Sequence, residues 1–379
     1  MKFKNYNMKK NIIIRNLKNT CVTSLIFAMM ISAEASAGSV SKAQITTLTS
    51  DVAGSATLSW KQVKSADGYE IQYKTGGTWA KGKTLVVKGG NSTSRVIKKI
   101  SKKKDTFFRV RAYSDNAGVK EYSKWSRIVK KIQWNKRWKY ANESLTNSGS
   151  AALFYAKTSS KKKNITVCVN AGHGCARGAG LKTKCHPDGT PKVTGGSTSS
   201  GSVYASSING GTSLLNGYSE AAMNLKVAKA VKAKLLAEGY NVLMIRQEGN
   251  VNLDNIARTV VANNCADCHI SIHFDSSTNG KGAFAITVPN VVSYRNMEPV
   301  KMNWKKHNKL GTNLIGGMRK SGVGIFGNGT MALDLTQTSY STVPSVDLEV
   351  GDRSFSGSFT EINKIAKGIV EGVNTYFNK

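Results

Sequence analysis

The chain changes its periodicity once, near residue 164, and that change restricts it to few folds. Before it, short runs of alternating apolar and polar residues, 56–60, 69–74, 85–87, 95–97, 107–113 and 126–132, are separated by Gly, Asn and Asp turns. Short strands at this spacing predict a small all-β sandwich over residues 43–132. After residue 164, strand-type and helix-type segments alternate, which predicts an α/β domain over residues 164–379. Its expected strands are 165–169, 240–246, 269–273, 282–288 and 345–350; its expected helices are 220–238, 253–264, 304–319 and 360–376. In the first helix Met223, Val227, Val231 and Leu235 recur every four residues, Lys226, Lys229, Lys232 and Lys234 surround them, and Gly239 is a natural stop. Residues 133–163, rich in Asn, Ser, Thr and Lys, read as a polar linker in which Leu153-Phe154-Tyr155 docks on one neighbour.

The N-terminus reads as an export signal rather than as structure. Residues 1–18 carry six basic and no acidic side chains, an apolar run covers 22–31, and Ala35-Ser36-Ala37 offers small residues at a cleavage spacing. The run is short for a bilayer span, so residues 1–37 are expected to be a signal peptide and the mature chain to be secreted without a transmembrane anchor. Losing six basic residues and Glu34 takes the formal charge from +33 to +28. Outside a cell, such a field attracts anionic wall polymers and membranes more than nucleic acid.

The chemistry collects around Val167-Cys168-Val169-Asn170-Ala171-Gly172-His173-Gly174, where a strand-type run ends in a small-residue turn with one histidine. Glycines on both sides let the backbone bend and keep neighbours off the imidazole. Downstream, Glu220 opens the first helix, His273 ends the strand Ile270-Ser271-Ile272-His273, and Glu349 lies near the end of another. Two histidines and a glutamate are a recurrent zinc set, and a further glutamate can activate the metal's water. Each residue also has a structural reading. Glu220 is favourable at a helix N-terminus, His273 can be a packed strand-end residue, and Glu349 can be an ion-pair partner on the strand face it shares with Asp347.

Two resemblances follow from these residues. Thr57-Leu58-Ser59-Trp60, Gly68-Tyr69-Glu70-Ile71-Gln72-Tyr73 and Phe108-Arg109-Val110-Arg111-Ala112-Tyr113 resemble strands of a fibronectin type III domain. Asn-Ala-Gly-His-Gly with His173, Ser219-Glu220 with Asn224-Leu225, Arg246, Arg258, Ser271-Ile272-His273 and Glu349-Val350-Gly351 occur in an order that resembles the zinc-dependent N-acetylmuramoyl-L-alanine amidases of the Amidase_3 family. That resemblance implies a mixed sheet flanked by helices. It implies cleavage of the peptidoglycan amide between N-acetylmuramic acid and the L-alanine of the stem peptide. It also implies His173, Glu220 and His273 as Zn2+ ligands and Glu349 as the catalytic carboxylate. The sequence departs from the family pattern at Asp347, where an aliphatic residue is usual, and at Asp275, where asparagine is usual. A long insertion, residues 177–218, is too polar for core and is expected to form a loop over the substrate groove.

Five cysteines follow the signal segment. Cys175 and Cys185 close a short loop beside His173, a disulfide expectation for an exported protein. Cys265-Ala266-Asp267-Cys268-His269 matches a haem-attachment spacing, but its last two residues fall in the run leading to His273. The functional expectation is a secreted, wall-associated peptidoglycan amidase. An inactive wall-binding protein and a zinc carboxypeptidase acting on the stem peptide are the alternatives, and the sequence says nothing of the oligomeric state.

Overall fold

Twelve strands share one mixed sheet. The computed structural model describes residues 40–379 except 51, 149–150, 157–160, 176–179 and 250. The expected signal peptide, residues 1–37, therefore lies outside the described residues, as do residues 177–179 of the insertion.

The sheet's centre is parallel. Thr166–Ala171 lies between Asn241–Met244 and Cys268–Asp275, and Ser345–Asp352 continues the parallel set beyond Cys268–Asp275. Ala283–Thr287 then pairs antiparallel with Ser345–Asp352, and Ile325–Ala332 forms the edge. Both faces of the centre are covered, which is why its strands read as nearly continuous apolar runs. Val167 and Val169 join a core with Met223, Val227, Val231 and Leu235 of the helix Glu220–Ala237. The same core takes in residues of the helices Val300–Lys320 and Phe359–Phe377. Cys168 points the other way, into a cluster with Leu243, Ile245, Ala257 and Val261, the last two from the helix Asn255–Cys265. This period-two alternation gives the mixed sheet flanked by helices that the sequence predicts.

Before this domain stands the expected all-β sandwich. Gln44–Thr49, Ser55–Lys61 and Ser94–Lys98 form one antiparallel sheet. Gly68–Lys74, Lys83–Lys88, Thr106–Asn116, Val119–Tyr122 and Val129–Lys131 form the other layer. Leu48, Leu58, Trp60, Tyr69, Ile71 and Val110 are buried in its core. The strand expected over 126–132 shortens because the Ser123 and Ser126 hydroxyls accept from Ala112 and Val110 N–H, so side chains replace part of the ladder. On the outer face, Arg109 stacks 4.2 Å from the ring centres of both Trp79 and Trp125, and Arg111 stacks 4.4 Å from Trp125 and 3.7 Å from Tyr122.

Residues 133–163, expected as a polar linker, are not a free tether. Ala152–Phe154 is a strand that pairs antiparallel with Val129–Lys131 of the sandwich on one edge and with Asn241–Met244 of the α/β domain on the other. Leu153 and Phe154 thus dock on both neighbours, not one. The Gln247 side chain adds a second seam: its Oε1 accepts from Leu48 N–H at 3.1 Å and its amide donates to Leu48 O at 2.6 Å. Lys232 Nζ donates to Thr46 O at 2.8 Å. The described residues form one compact unit.

Candidate metal centre

His173 sits in the left-handed backbone region, with φ 59°, just beyond the strand Thr166–Ala171. Such a conformation is unusual for a residue with a side chain and is held from outside. Two buried arginines do the holding. Arg246 donates to the carbonyls of Ala171, Gly172, Ala221 and Glu248. Arg258 donates to those of Leu253, Ala171 and His173 and to Asn170 Oδ1. Burial lowers both guanidinium pKa values, Arg246 to about 9 with help from the charge of Arg258, and Arg258 to about 10. Both stay charged at neutral pH. Gly172 is required by close approach, since a Cβ there would lie 2.2 Å from His273 Cε1.

Glu220 is the first residue of its helix, whose N-cap Ser219 accepts from Ala222 N–H at 3.3 Å. Its side chain turns inward. Glu220 Oε1 lies 2.9 Å from His173 Nε2 and 3.1 Å from His273 Nδ1, and those two nitrogens are 3.0 Å apart. Oε1 also accepts from Phe274 N–H, and Oε2 accepts from Thr212 N–H at 3.0 Å. Burial alone would raise the Glu220 pKa, but hydrogen bonds from both imidazoles outweigh it and hold the carboxyl well below the usual range. For His273 burial lowers the pKa, and Asp347, Glu220 and Glu349 together more than offset it, raising it to about 9.

This donor set fits a zinc ion. His173 Nδ1 lies 2.7 Å from Asn209 O, a carbonyl that can only accept, so this nitrogen carries a proton and Nε2 is the nitrogen left to offer a lone pair to an ion. Two imidazole nitrogens and one carboxylate oxygen, all within 4.8 Å of one another, are the ligand types of a catalytic zinc site with an open position.

In parallel register with His273 on the next strand is Glu349, and Ile286 of the antiparallel neighbour lies opposite Asp347. Asp347 and Glu349 share a strand face, and one carboxylate oxygen of each is buried without a hydrogen-bond partner. Burial, with Asp347 beside it, raises Glu349 well above the carboxylate range. All four residues expected from sequence, His173, Glu220, His273 and Glu349, line one cavity of about 500 Å³. Asp275 is on its wall too, paired with Lys281 at 2.9 Å.

The insertion supplies part of the cavity wall. Its described part contains the hairpin Lys182–Lys184 with Tyr204–Ser206, and Lys192, Gly195, Gly196, Ser197 and Thr198 line the cavity. It is pinned by Asp334, which accepts from Lys192 Nζ at 2.8 Å, from the N–H groups of Val193 and Thr194, and from His186 Nε2 at 3.1 Å. These partners outweigh burial and hold the Asp334 carboxyl below its usual range. The expected Cys175–Cys185 bridge is a correction: both residues remain thiols, and the staple that fixes this segment is ionic. Cys268 and His269 are fully buried in their strand, which leaves no room for a haem attachment. The positions that sequence reading passed over are Asn209, Thr212 and Asp334. Asn224 was legible as a motif residue without a role; here its amide donates to Gly172 O at 3.3 Å and Glu220 Oε1 at 3.4 Å.

The chain is similar in structure to several solved amidases. The apo N-acetylmuramyl-L-alanine amidase from Mycobacterium abscessus has 19% identity and a TM-score of 0.44, with 56% of this chain and 99% of that one covered. The catalytic domain of an N-acetylmuramoyl-L-alanine amidase from Bacillus (Paenibacillus) polymyxa var. colistinus has 19% identity and a TM-score of 0.40, with coverage of 56% and 98%. An N-acetylmuramoyl-L-alanine amidase from Clostridium difficile 630 has 18% identity and a TM-score of 0.40, with coverage of 57% and 97%. No curated protein matches the sequence. The sequence pattern described as Amidase_3, N-acetylmuramoyl-L-alanine amidase, matches residues 167–375, a span that includes His173, Glu220, His273 and Glu349. With more than half its length inside that pattern, the chain belongs to the N-acetylmuramoyl-L-alanine amidase family of peptidoglycan hydrolases.

Proposed function

We propose that the chain is a secreted, zinc-dependent N-acetylmuramoyl-L-alanine amidase that hydrolyses the bond between the lactyl group of N-acetylmuramic acid and L-alanine. The observation that carries this reading is the triangle of His173, Glu220 and His273 ligand atoms in the same cavity as Glu349. His173 Nε2, Glu220 Oε1 and His273 Nδ1 would hold the ion. Zinc bound there supplies a Lewis acid and lowers the pKa of water in the site. Glu349 accepts the proton of the attacking water and delivers it to the departing alanine nitrogen, without which the amine is a very poor leaving group. Its confined setting, which favours the protonated carboxyl, suits the delivery step. The Gly, Ser and Thr residues of the insertion make part of the cavity wall polar, as a sugar–peptide junction requires.

The same proposal covers where the enzyme works. Residues 40–132 contain twenty Lys and Arg against six Asp and Glu, whereas residues 164–379 contain twenty-two against fourteen. The positive excess is therefore larger on the sandwich, fourteen against eight, where it supports contact with anionic wall polymers. Among the described residues no helix is long and apolar enough to cross a membrane.

The test is digestion of purified peptidoglycan by the chain lacking residues 1–37, with and without chelator, beside Glu349→Ala. Stem peptides beginning with L-alanine are expected, lost on chelation, with kcat lowered about 10²–10⁴-fold in the variant. Release of a C-terminal amino acid would mark a carboxypeptidase. Bound but intact peptidoglycan, with zinc present, would mark a wall-binding protein.

A further inference from the structure

The two histidines of the triangle are wired differently. His173 turns Nε2 inward and rests Nδ1 on a backbone carbonyl, Asn209 O, at 2.7 Å. His273 turns Nδ1 inward, so its Nε2 faces out of the triangle. The group on that side is Asp347, whose Oδ2 lies 3.8 Å from His273 Nε2, an ion-pair separation longer than a hydrogen bond. Both side chains are largely buried, at 18% and 16% exposure.

Asp347 has no other salt-bridge partner among the described residues, and its Oδ1 is buried with no hydrogen-bond partner. Its strand neighbours on the same face make its position more demanding: Glu349, two residues along, is a second carboxylate on the same cavity wall. Two carboxylates side by side in a poorly solvated wall repel each other, and an aliphatic residue would fill the strand position without that penalty. The acid must therefore be held by something it does for a neighbour, and His273 is the neighbour within reach.

We propose that Asp347 is a positioning residue for His273, its carboxylate 3.8 Å behind Nε2 favouring the proton on that nitrogen so that the ring presents Nδ1 to the metal. This rests on the zinc reading above. A neutral imidazole that offers Nδ1 as a ligand must carry its proton on Nε2, and a carboxylate behind that proton fixes the tautomer, restrains the ring and strengthens the ligand. Each histidine thus has its own partner, a carbonyl for His173 and a carboxylate for His273.

The experiment uses the chain lacking residues 1–37 and Zn2+ alone as the probe, titrated against a chromophoric chelator, with Co2+ absorption spectra in parallel. Wild type is compared with Asp347→Leu and Asp347→Asn. Asp347→Leu is expected to weaken Zn2+ binding by about 10–100-fold and to change the Co2+ spectrum. Asp347→Asn, which keeps an oxygen behind Nε2 but removes its charge, should fall between the two and recover most of the Co2+ spectrum. In turnover of zinc-saturated protein, kcat should fall while KM stays near the wild-type value. Unchanged Zn2+ affinity and spectrum in Asp347→Leu would overturn the proposal. So would equal losses in both variants with a recovered spectrum in neither. Should Asp347→Leu fail to fold, judged by circular dichroism of the metal-free protein, Asp347→Asn decides: an unaltered affinity and spectrum with kcat unchanged refutes a role for the acid. Failure of wild type to bind one Zn2+ per chain would instead overturn the zinc reading itself.

Discussion

One sheet serves two regions that treat charge in opposite ways. Around the histidine turn and on the strand wall beside it, charged groups are buried with few neutralising partners: the hydrogen bonds of Arg246 and Arg258 go to neutral oxygens, and Asp347 and Glu349 each leave an oxygen unsatisfied. At the sandwich end, two arginines are satisfied within the protein. Arg109 and Arg111 are layered between Trp79, Trp125 and Tyr122, and Arg111 is paired with Glu70 at 2.8 Å. The comparison locates chemistry by what is left incomplete. A cation–π stack is complete within the protein, whereas a triangle of lone pairs beside an unpaired carboxylate is complete only with something bound.

The strongest way to break the comparison is Gly172→Ala. A methyl group 2.2 Å from the His273 ring displaces a ligand, so Zn2+ binding and amidase activity should fall by at least about 100-fold, read by metal titration and peptidoglycan digestion. If Zn2+ affinity stays within twofold, the His273 ring is not fixed as described.

A second test sharpens it through pH. His269 and His307 are fully buried, and burial lowers both to about 3, with nearby positive charge adding to the effect. The unfolded chain takes up these protons near pH 6.5, whereas the folded chain refuses them until about 3. Stability is therefore full above pH 6.5 and falls as pH drops from 6.5 to 3, by up to about 1.4 kcal/mol per pH unit for each histidine. Denaturant titrations of wild type and His307→Gln should diverge in slope over that window, and parallel curves would contradict the buried neutral state.

The smallest effect is expected at the sandwich. Trp125→Ala removes a stacking partner of both arginines and should lower stability by about 1–3 kcal/mol while leaving kcat on a soluble muropeptide unchanged. A drop in kcat larger than the loss of folded protein explains would show that the two ends of the sheet are coupled.

Sequence made the local parts of this molecule legible. The helix Glu220–Ala237 was readable because its buried face recurs every four residues and Gly239 marks its end. The histidine turn was readable because glycines bracket it. Long-range polar pairings were not. Asp334 holds Lys192 and His186 from more than 140 residues away, and nothing in its local sequence marks it as a staple. The edge strand Ile325–Ala332 was missed because Gly327 and Gly329, both at positive φ, interrupt its alternation. The three residues Ala152–Phe154 are too short a run to be told from a linker, since only pairing on both sides makes them a strand. Arg246 and Arg258 were visible as motif residues, but their task, gripping the carbonyls around His173, exists only in three dimensions.

That short strand changes what the sandwich can do for the enzyme. A module on a slack tether lets its partner sweep a volume, and capture then raises only local concentration. Ala152–Phe154, zipped on both edges and reinforced by Gln247 against Leu48, removes the sweep. The cavity is thereby held at a constant offset and angle from the sandwich, so anything bound to that module would meet the cavity in a single geometry.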